Sequence, residues 1–149
     1  MTRKSPEHKI IIGCFEDLCY DNTPPFSTAA AVINCLDGDG SESVRNGKSY
    51  MGICLYDDFH ISDWAFDQSV QFIKKYIGNG DVLVCCEAGA SRSVAIGMAY
   101  YMSLGKSYDE ATKLLGKCSG PGRIHNVSLL SWAKKKGYIS EEERSKLVY

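Results

Sequence analysis

Apolar residues fall along this chain in two patterns, short unbroken runs in the first half and three- and four-residue spacings afterwards. Residues 8–13 carry the run KIII and residues 29–35 the run AAAVINC, each bounded by turn residues, so both read as buried strands. Residues 52–56 give a third strand candidate and residues 81–85, DVLVC, a fourth. Between these last two, Ser62 is placed to cap a helix whose inward positions are Phe66, Ser69, Val70, Ile73, Tyr76 and Ile77, closing at Gly78. After Arg92 the run SVAIGMAYYMSL is apolar on nearly every side, the pattern of a helix packed centrally against a sheet, and it stops at Gly105. Ser107 with Glu110 and Ser140 with Glu143 have the spacing of capping boxes that open two shorter helices, and an amphipathic helix is predicted from about Asn126 to Lys136. The most polar stretch, residues 37–48 with three glycines, reads as one exposed loop. Strands early, helices late and one helical crossover predict an α/β fold: a central mixed β-sheet flanked by α-helices.

A length of 149 residues suits one compact domain, which buries roughly two-thirds of its unfolded surface. A single domain is therefore expected over 1–149, with a core at about 8–133 and a helical tail at about 134–149. Charge changes the picture only by exclusion. Seventeen basic and eighteen acidic residues are well mixed and leave a net charge of −1, so bulk electrostatics implies no nucleic-acid partner and no membrane surface. No apolar run approaches the ~20 residues of a membrane span and no charged leader opens the chain, which places the protein in the cytoplasm by default. Seven cysteines, an odd number without paired metal-binding spacing, read as reduced thiols, four of them in or beside apolar runs. His8, His60 and His125 are far apart in sequence and read as surface or core residues rather than metal ligands. No metal and no cofactor is expected.

Chemistry concentrates where DVLVC runs into the central helix, in the segment CEAGASRS from Cys86 to Ser93. Gly89 and its small neighbours Ala88, Ala90 and Ser91 let backbone N–H groups converge on one point, and such a loop at a helix N-terminus binds anions. Arg92 adds a planar fork that holds two phosphate oxygens, a geometry that lysine lacks. The same donors favour a thiolate at Cys86, which is then a nucleophile beside a bound phosphate. A Cys and an Arg six residues apart also arise by chance, and a strand-terminal Cys is often core. Here the context carries the functional reading, because strand, glycine loop and apolar helix occur in the order a phosphate cradle requires.

These residues resemble the dual-specificity phosphatases of the cysteine-dependent protein tyrosine phosphatase superfamily, whose signature is H-C-x-x-G-x-x-R-[ST]; this chain reads CCEAGASRS. HKIIIGCFED is similar to the family's first strand and turn, AAAVINC to its second strand and GICLYDD to the strand that delivers the general acid. FIKKYIGNGDVLVCC and IHNVSLL continue the likeness to about residue 133. The resemblance implies metal-free hydrolysis of phosphate monoesters through a phosphocysteine intermediate, with phosphorylated tyrosine, serine or threonine in proteins as substrate. Within it Cys86 matches the nucleophile, Arg92 the phosphate clamp and Ser93 the hydroxyl that eases departure of the thiolate. Glu87, Ala88, Gly89, Ala90 and Ser91 would give backbone amides. Asp57 matches the general acid, by its place after the strand residues Ile53 to Tyr56, with the adjacent Asp58 as the alternative. Asn126 matches a residue that supports the loop; as a helix N-cap it would need no such role.

Three departures bear on these expectations. Where the family has His this chain has Cys85, whose thiol is a weaker donor that leaves the Cys86 thiolate less favoured, unless it only fills apolar space at the strand end. A Cys85–Cys86 disulfide would need a strained ring. His125 stands where Pro usually precedes the supporting Asn, and Glu87, where loops for inositol phosphates are basic, argues against such polyanions. The alternatives to a protein phosphatase are a phosphate-binding module with little turnover and an enzyme of the same fold acting on RNA ends or small metabolites.

Overall fold

In a computed structural model that describes residues 8–148, the apolar runs assemble into one mixed sheet. Its strands are β1 (Ile10–Gly13), β2 (Ala31–Asn34), β3 (Asp39–Arg45), β4 (Lys48–Ile53) and β5 (Val82–Cys85), in the order β1-β5-β2-β4-β3. β5 lies parallel between β1 and β2, β2 is parallel to β4, and β3 runs antiparallel to β4 at the edge. The helices are α1 (Phe15–Cys19), α2 (Asp63–Tyr76), α3 (Arg92–Ser103), α4 (Tyr108–Leu114), α5 (Arg123–Lys135) and α6 (Glu141–Leu147). Residues 1–7 and 149 of the expected domain lie outside the described residues.

β5 is buried along its whole length because both of its faces are covered. Val82 and Val84 join Phe66 and Ile73 of α2, Ile96 and Met98 of α3 and Trp132 of α5 in the main core. Leu83 and Cys85, on the alternate face, pack with Leu18 of α1, Phe26 and Val32 in a second, smaller core. α3 is buried from Arg92 to Met102, which accounts for its almost uniformly apolar sequence. The Ser62 cap and both capping boxes form, with Ser62 Oγ accepting from the Ala65 N–H. None of the described helices is long and apolar enough to cross a membrane.

The expected loop at 37–48 is instead strand β3 and the turn into β4. Asn46 and Gly47, with φ of 51° and 77°, make a two-residue turn between the paired Arg45 and Lys48. β3 has almost no apolar alternation because it is an edge whose residues are mostly exposed; it is held by the backbone ladder, by the Trp64 ring lying over Gly40 and by bonds from α2, Gln68 Nε2 to the Gly40 carbonyl at 3.2 Å and Lys75 Nζ to Glu42 at 3.2 Å. β4 therefore begins at Lys48 and ends at Ile53, so of the strand expected at 52–56 only Gly52 and Ile53 belong to it. Cys54 to Tyr56 continue without strand geometry, although the Leu55 N–H still donates to the Cys35 carbonyl at 2.9 Å. α5 starts at Arg123, three residues ahead of Asn126, with Gly122 before it.

Candidate active site

Between the last residue of β5 and the first of α3, residues 86–91 turn through a loop fastened from three sides. The Phe15 N–H at the start of α1 donates to the Glu87 carbonyl at 3.1 Å, Lys117 Nζ donates to the Gly89 carbonyl at 3.1 Å, and the Gly122 N–H donates to Ser91 Oγ at 2.9 Å. Gly89 has a φ of +68°, and a Cβ there would lie 3.0 Å from the Gly13 carbonyl oxygen, so only glycine fits without strain. Holding carbonyls on the outside leaves the loop's N–H groups free to face inward.

Cys86 lies at the base of a cleft of about 200 Å³ lined by Asp57, Cys86, Glu87, Ala88, Ala90, Ser91 and Arg92. Its Sγ is 3.1 Å from Ser93 Oγ. Burial pushes the thiol's pKa up, but hydrogen bonds from the Ser93 hydroxyl and the backbone N–H groups of Ser93, Ser91 and Gly89 outweigh it, and the net displacement is downward. Arg92, 6% exposed, donates through Nη1 to the Leu55 carbonyl at 2.8 Å. Its Nε is buried without a hydrogen bond; the Asp57 carboxylate stands 3.8 Å from it, and the Glu87 carboxylate 3.9 Å from Nη2. That guanidinium edge is the one a phosphate would occupy. Asp58 is not among the residues that line the cleft.

Cys85 points the other way. It is fully buried in the second core, where a Cβ on Gly13 would come within 2.8 Å of its Sγ, and burial followed by the nearby Asp17 raises its pKa strongly. Both thiols of the pair are free, as are the other five cysteines; Cys35 is also buried, while Cys19, Cys54 and Cys118 are exposed.

The N-cap reading of Asn126 needs correcting. The residue sits inside α5, fully buried, and is no N-cap. Its Oδ1 accepts from the Tyr108 hydroxyl at 2.6 Å and its Nδ2 donates to the Leu147 carbonyl at 3.2 Å, bonds that join α5 to α4 and α6 rather than to the loop. The neighbouring His125 reaches the loop instead, with Nδ1 2.5 Å from Ser91 Oγ and Nε2 3.2 Å from the Tyr56 carbonyl oxygen. His125, Lys117 and the Phe15 amide were missed in the sequence. A backbone amide leaves no sequence signal, but a histidine at a position where the pattern has proline was a visible one. A larger cleft of about 390 Å³ over the start of α2 contains His60 and Ser128, but the Ser128 hydroxyl is already engaged by the Ile61 N–H and the Ile124 carbonyl.

Comparisons with known proteins bear on the family and the fold. The family described as dual specificity phosphatase, catalytic domain, matches residues 27–135. A probable dual specificity protein phosphatase of Dictyostelium discoideum is 35% identical over 97 residues, which cover 64% of this chain but only 24% of that protein. The chain thus spans about a quarter of that relative's length. Among solved structures, human DUSP28 superposes with a TM-score of 0.71 at 16% identity, covering 91% of this chain and 97% of that one. DUSP15 superposes at 0.62 with 20% identity, covering 99% and 94%. At these identities the structural likeness is one of fold.

Proposed function

The chain belongs to the dual specificity phosphatase family, and from that premise we propose that it hydrolyses phosphate monoesters on proteins through a phosphocysteine at Cys86. The observation that carries the reading is the shared cleft: a thiol of lowered pKa, a buried guanidinium whose Nε makes no hydrogen bond, and the carboxyl group of Asp57 line the same small space. In the first step Cys86 Sγ attacks phosphorus in line, the P–O ester bond breaks, and protonated Asp57 gives its proton to the departing oxygen. Arg92 and the loop amides of residues 87–91 hold the three equatorial oxygens, whose charge must be balanced throughout. In the second step Asp57, now ionised, takes a proton from water, the water oxygen bonds to phosphorus, and the S–P bond breaks. The Ser93 hydroxyl, 3.1 Å from the sulfur, stabilises the thiolate that leaves. Glu87, exposed at the mouth, and the alanines at 88 and 90 provide none of the cationic surface that a polyphosphorylated ligand would need. That favours phosphorylated side chains of proteins.

Cys86→Ser tests the mechanism. Turnover of an aryl phosphate is expected to vanish while vanadate or phosphate still binds, because the loop amides and Arg92 are untouched. Full turnover by the mutant would end the cysteine mechanism, and an inactive wild type that still binds phosphate would establish a binding module.

A further inference from the structure

Two consecutive carbonyls ahead of Asp57 are held by side chains tied to the phosphate loop, that of Arg92 at its end and that of His125, which is bonded to Ser91. Arg92 Nη1 donates to the Leu55 carbonyl at 2.8 Å, and His125 Nε2 lies 3.2 Å from the Tyr56 carbonyl oxygen. A carbonyl only accepts, so Nε2 carries the proton in that bond. Neutral His125 then has a bare Nδ1, 2.5 Å from Ser91 Oγ, and accepts the serine's O–H. Ser91 Oγ in turn accepts from the Gly122 N–H at 2.9 Å. Donor and acceptor alternate without conflict along the whole path, from Gly122 N–H through the Ser91 hydroxyl and the His125 imidazole to Tyr56 O. His125 is 1% exposed, so these bonds are made out of contact with water. A proline at this position could make neither of the two ring bonds.

We propose that His125 is a positioning residue for Asp57: with Arg92 it fixes the peptide that carries the acid against the phosphate loop, so the carboxyl group is already placed when substrate arrives. The proposal rests on the reading of Asp57 as the general acid. Asp57 itself is 78% exposed and makes only a loose approach of 3.8 Å to Arg92, so its own contacts do not hold it. Its placement comes from the backbone on its N-terminal side, where both carbonyls are fixed. Ser91 therefore serves twice, its amide facing the phosphate and its hydroxyl relaying the loop's position to the acid segment.

The test measures kcat of the full chain across aryl phosphates from good to poor leaving groups. The variants are Asp57→Asn, His125→Ala, Ser91→Ala and the double variant His125→Ala/Asp57→Asn. Asp57→Asn is expected to lose rate selectively on poor leaving groups; if it does not, the acid reading fails and this proposal with it. His125→Ala is expected to show the same selectivity, losing roughly 10- to 10²-fold on phenyl phosphate and far less on an activated ester, since misplacing a reacting group by about 1 Å costs that much. In the double variant the loss on phenyl phosphate should equal that of Asp57→Asn alone. An equal loss across all leaving groups, or losses that multiply in the double variant, would mark His125 as merely structural. Should His125→Ala not fold, Ser91→Ala cuts the same path one bond earlier; a leaving-group-selective loss supports the proposal and a uniform one overturns it.

Discussion

Asp57 and Asp58 carry identical side chains one residue apart, and only position separates them. Asp57 lines the cleft with Cys86 and Arg92, whereas Asp58 does not. Asp57→Asn is expected to slow hydrolysis of poor leaving groups by roughly 10²- to 10⁴-fold, with Asp58→Asn changing little. A reversal in steady-state assays would move the acid by one residue. For Cys86 the direction of the pKa shift fixes the pH profile. Its folded-state pKa lies below the ordinary thiol value, so thiolate persists as pH falls below that value and is lost only through the lowered one. Any stability contributed by the charged form follows the same course, present above the ordinary value and lost through the folded one. The acid limb of alkylation and of kcat/KM should lie below the free-thiol range. Ser93→Ala removes the leading hydrogen bond and should move that limb upward, by about 1.4 kcal/mol of thiolate stabilisation per unit.

At the scale of elements, the strand that leads into the nucleophile also decides what Cys85 can do. Alternation along β5 sends Cys85 into the second core with Leu18, Phe26 and Val32, against Gly13 of β1. Cys85→His is therefore expected to overpack that layer and cost about 1–3 kcal/mol, read as a lower Tm, without lowering the alkylation pKa of Cys86. A pKa that falls in a fully stable variant would restore the electrostatic role expected from the sequence. Elements with strong periodicity or caps were legible: the strand runs of β1, β2 and β5, the apolar α3, and the capping boxes ahead of α4 and α6. β3 was not, because an exposed edge strand has little apolar pattern, and its one turn signal, Asn46-Gly47, lies among other polar residues. The loop from Cys86 to Arg92 was legible since glycine and small residues at fixed spacing are themselves the requirement. Its anchors were not, since Phe15, Lys117 and Gly122 act from elsewhere in the chain.

Across the whole molecule, the cleft sits beyond the carboxyl end of β5, flanked by β1 and β2, where connections to α1, α3 and the Asp57 segment converge. Among the later helices, Asn126 ties α4, α5 and α6 together through Tyr108 and Leu147. Asn126→Ala removes a buried group that bonds both neighbours and is expected to destabilise the protein by about 1–3 kcal/mol in thermal or urea unfolding. Phosphate affinity should stay unchanged, because neither side-chain bond of Asn126 found among the described residues reaches the loop; a weakened phosphate affinity with normal stability would favour the loop-supporting role.

The two sulfurs at the end of β5 make an internal reference. They are adjacent in sequence and alike in chemistry, yet one opens on the cleft and the other is sealed beneath α1. Reagent reaching Cys86 reports the ionisation of the native site. Reagent reaching Cys85 must wait for the sheet to open, so its slow rate reports the free energy of that opening. With Cys14, Cys19, Cys35, Cys54 and Cys118 replaced, a single time course of thiol labelling would give reactivity and stability from adjacent residues of the same molecule.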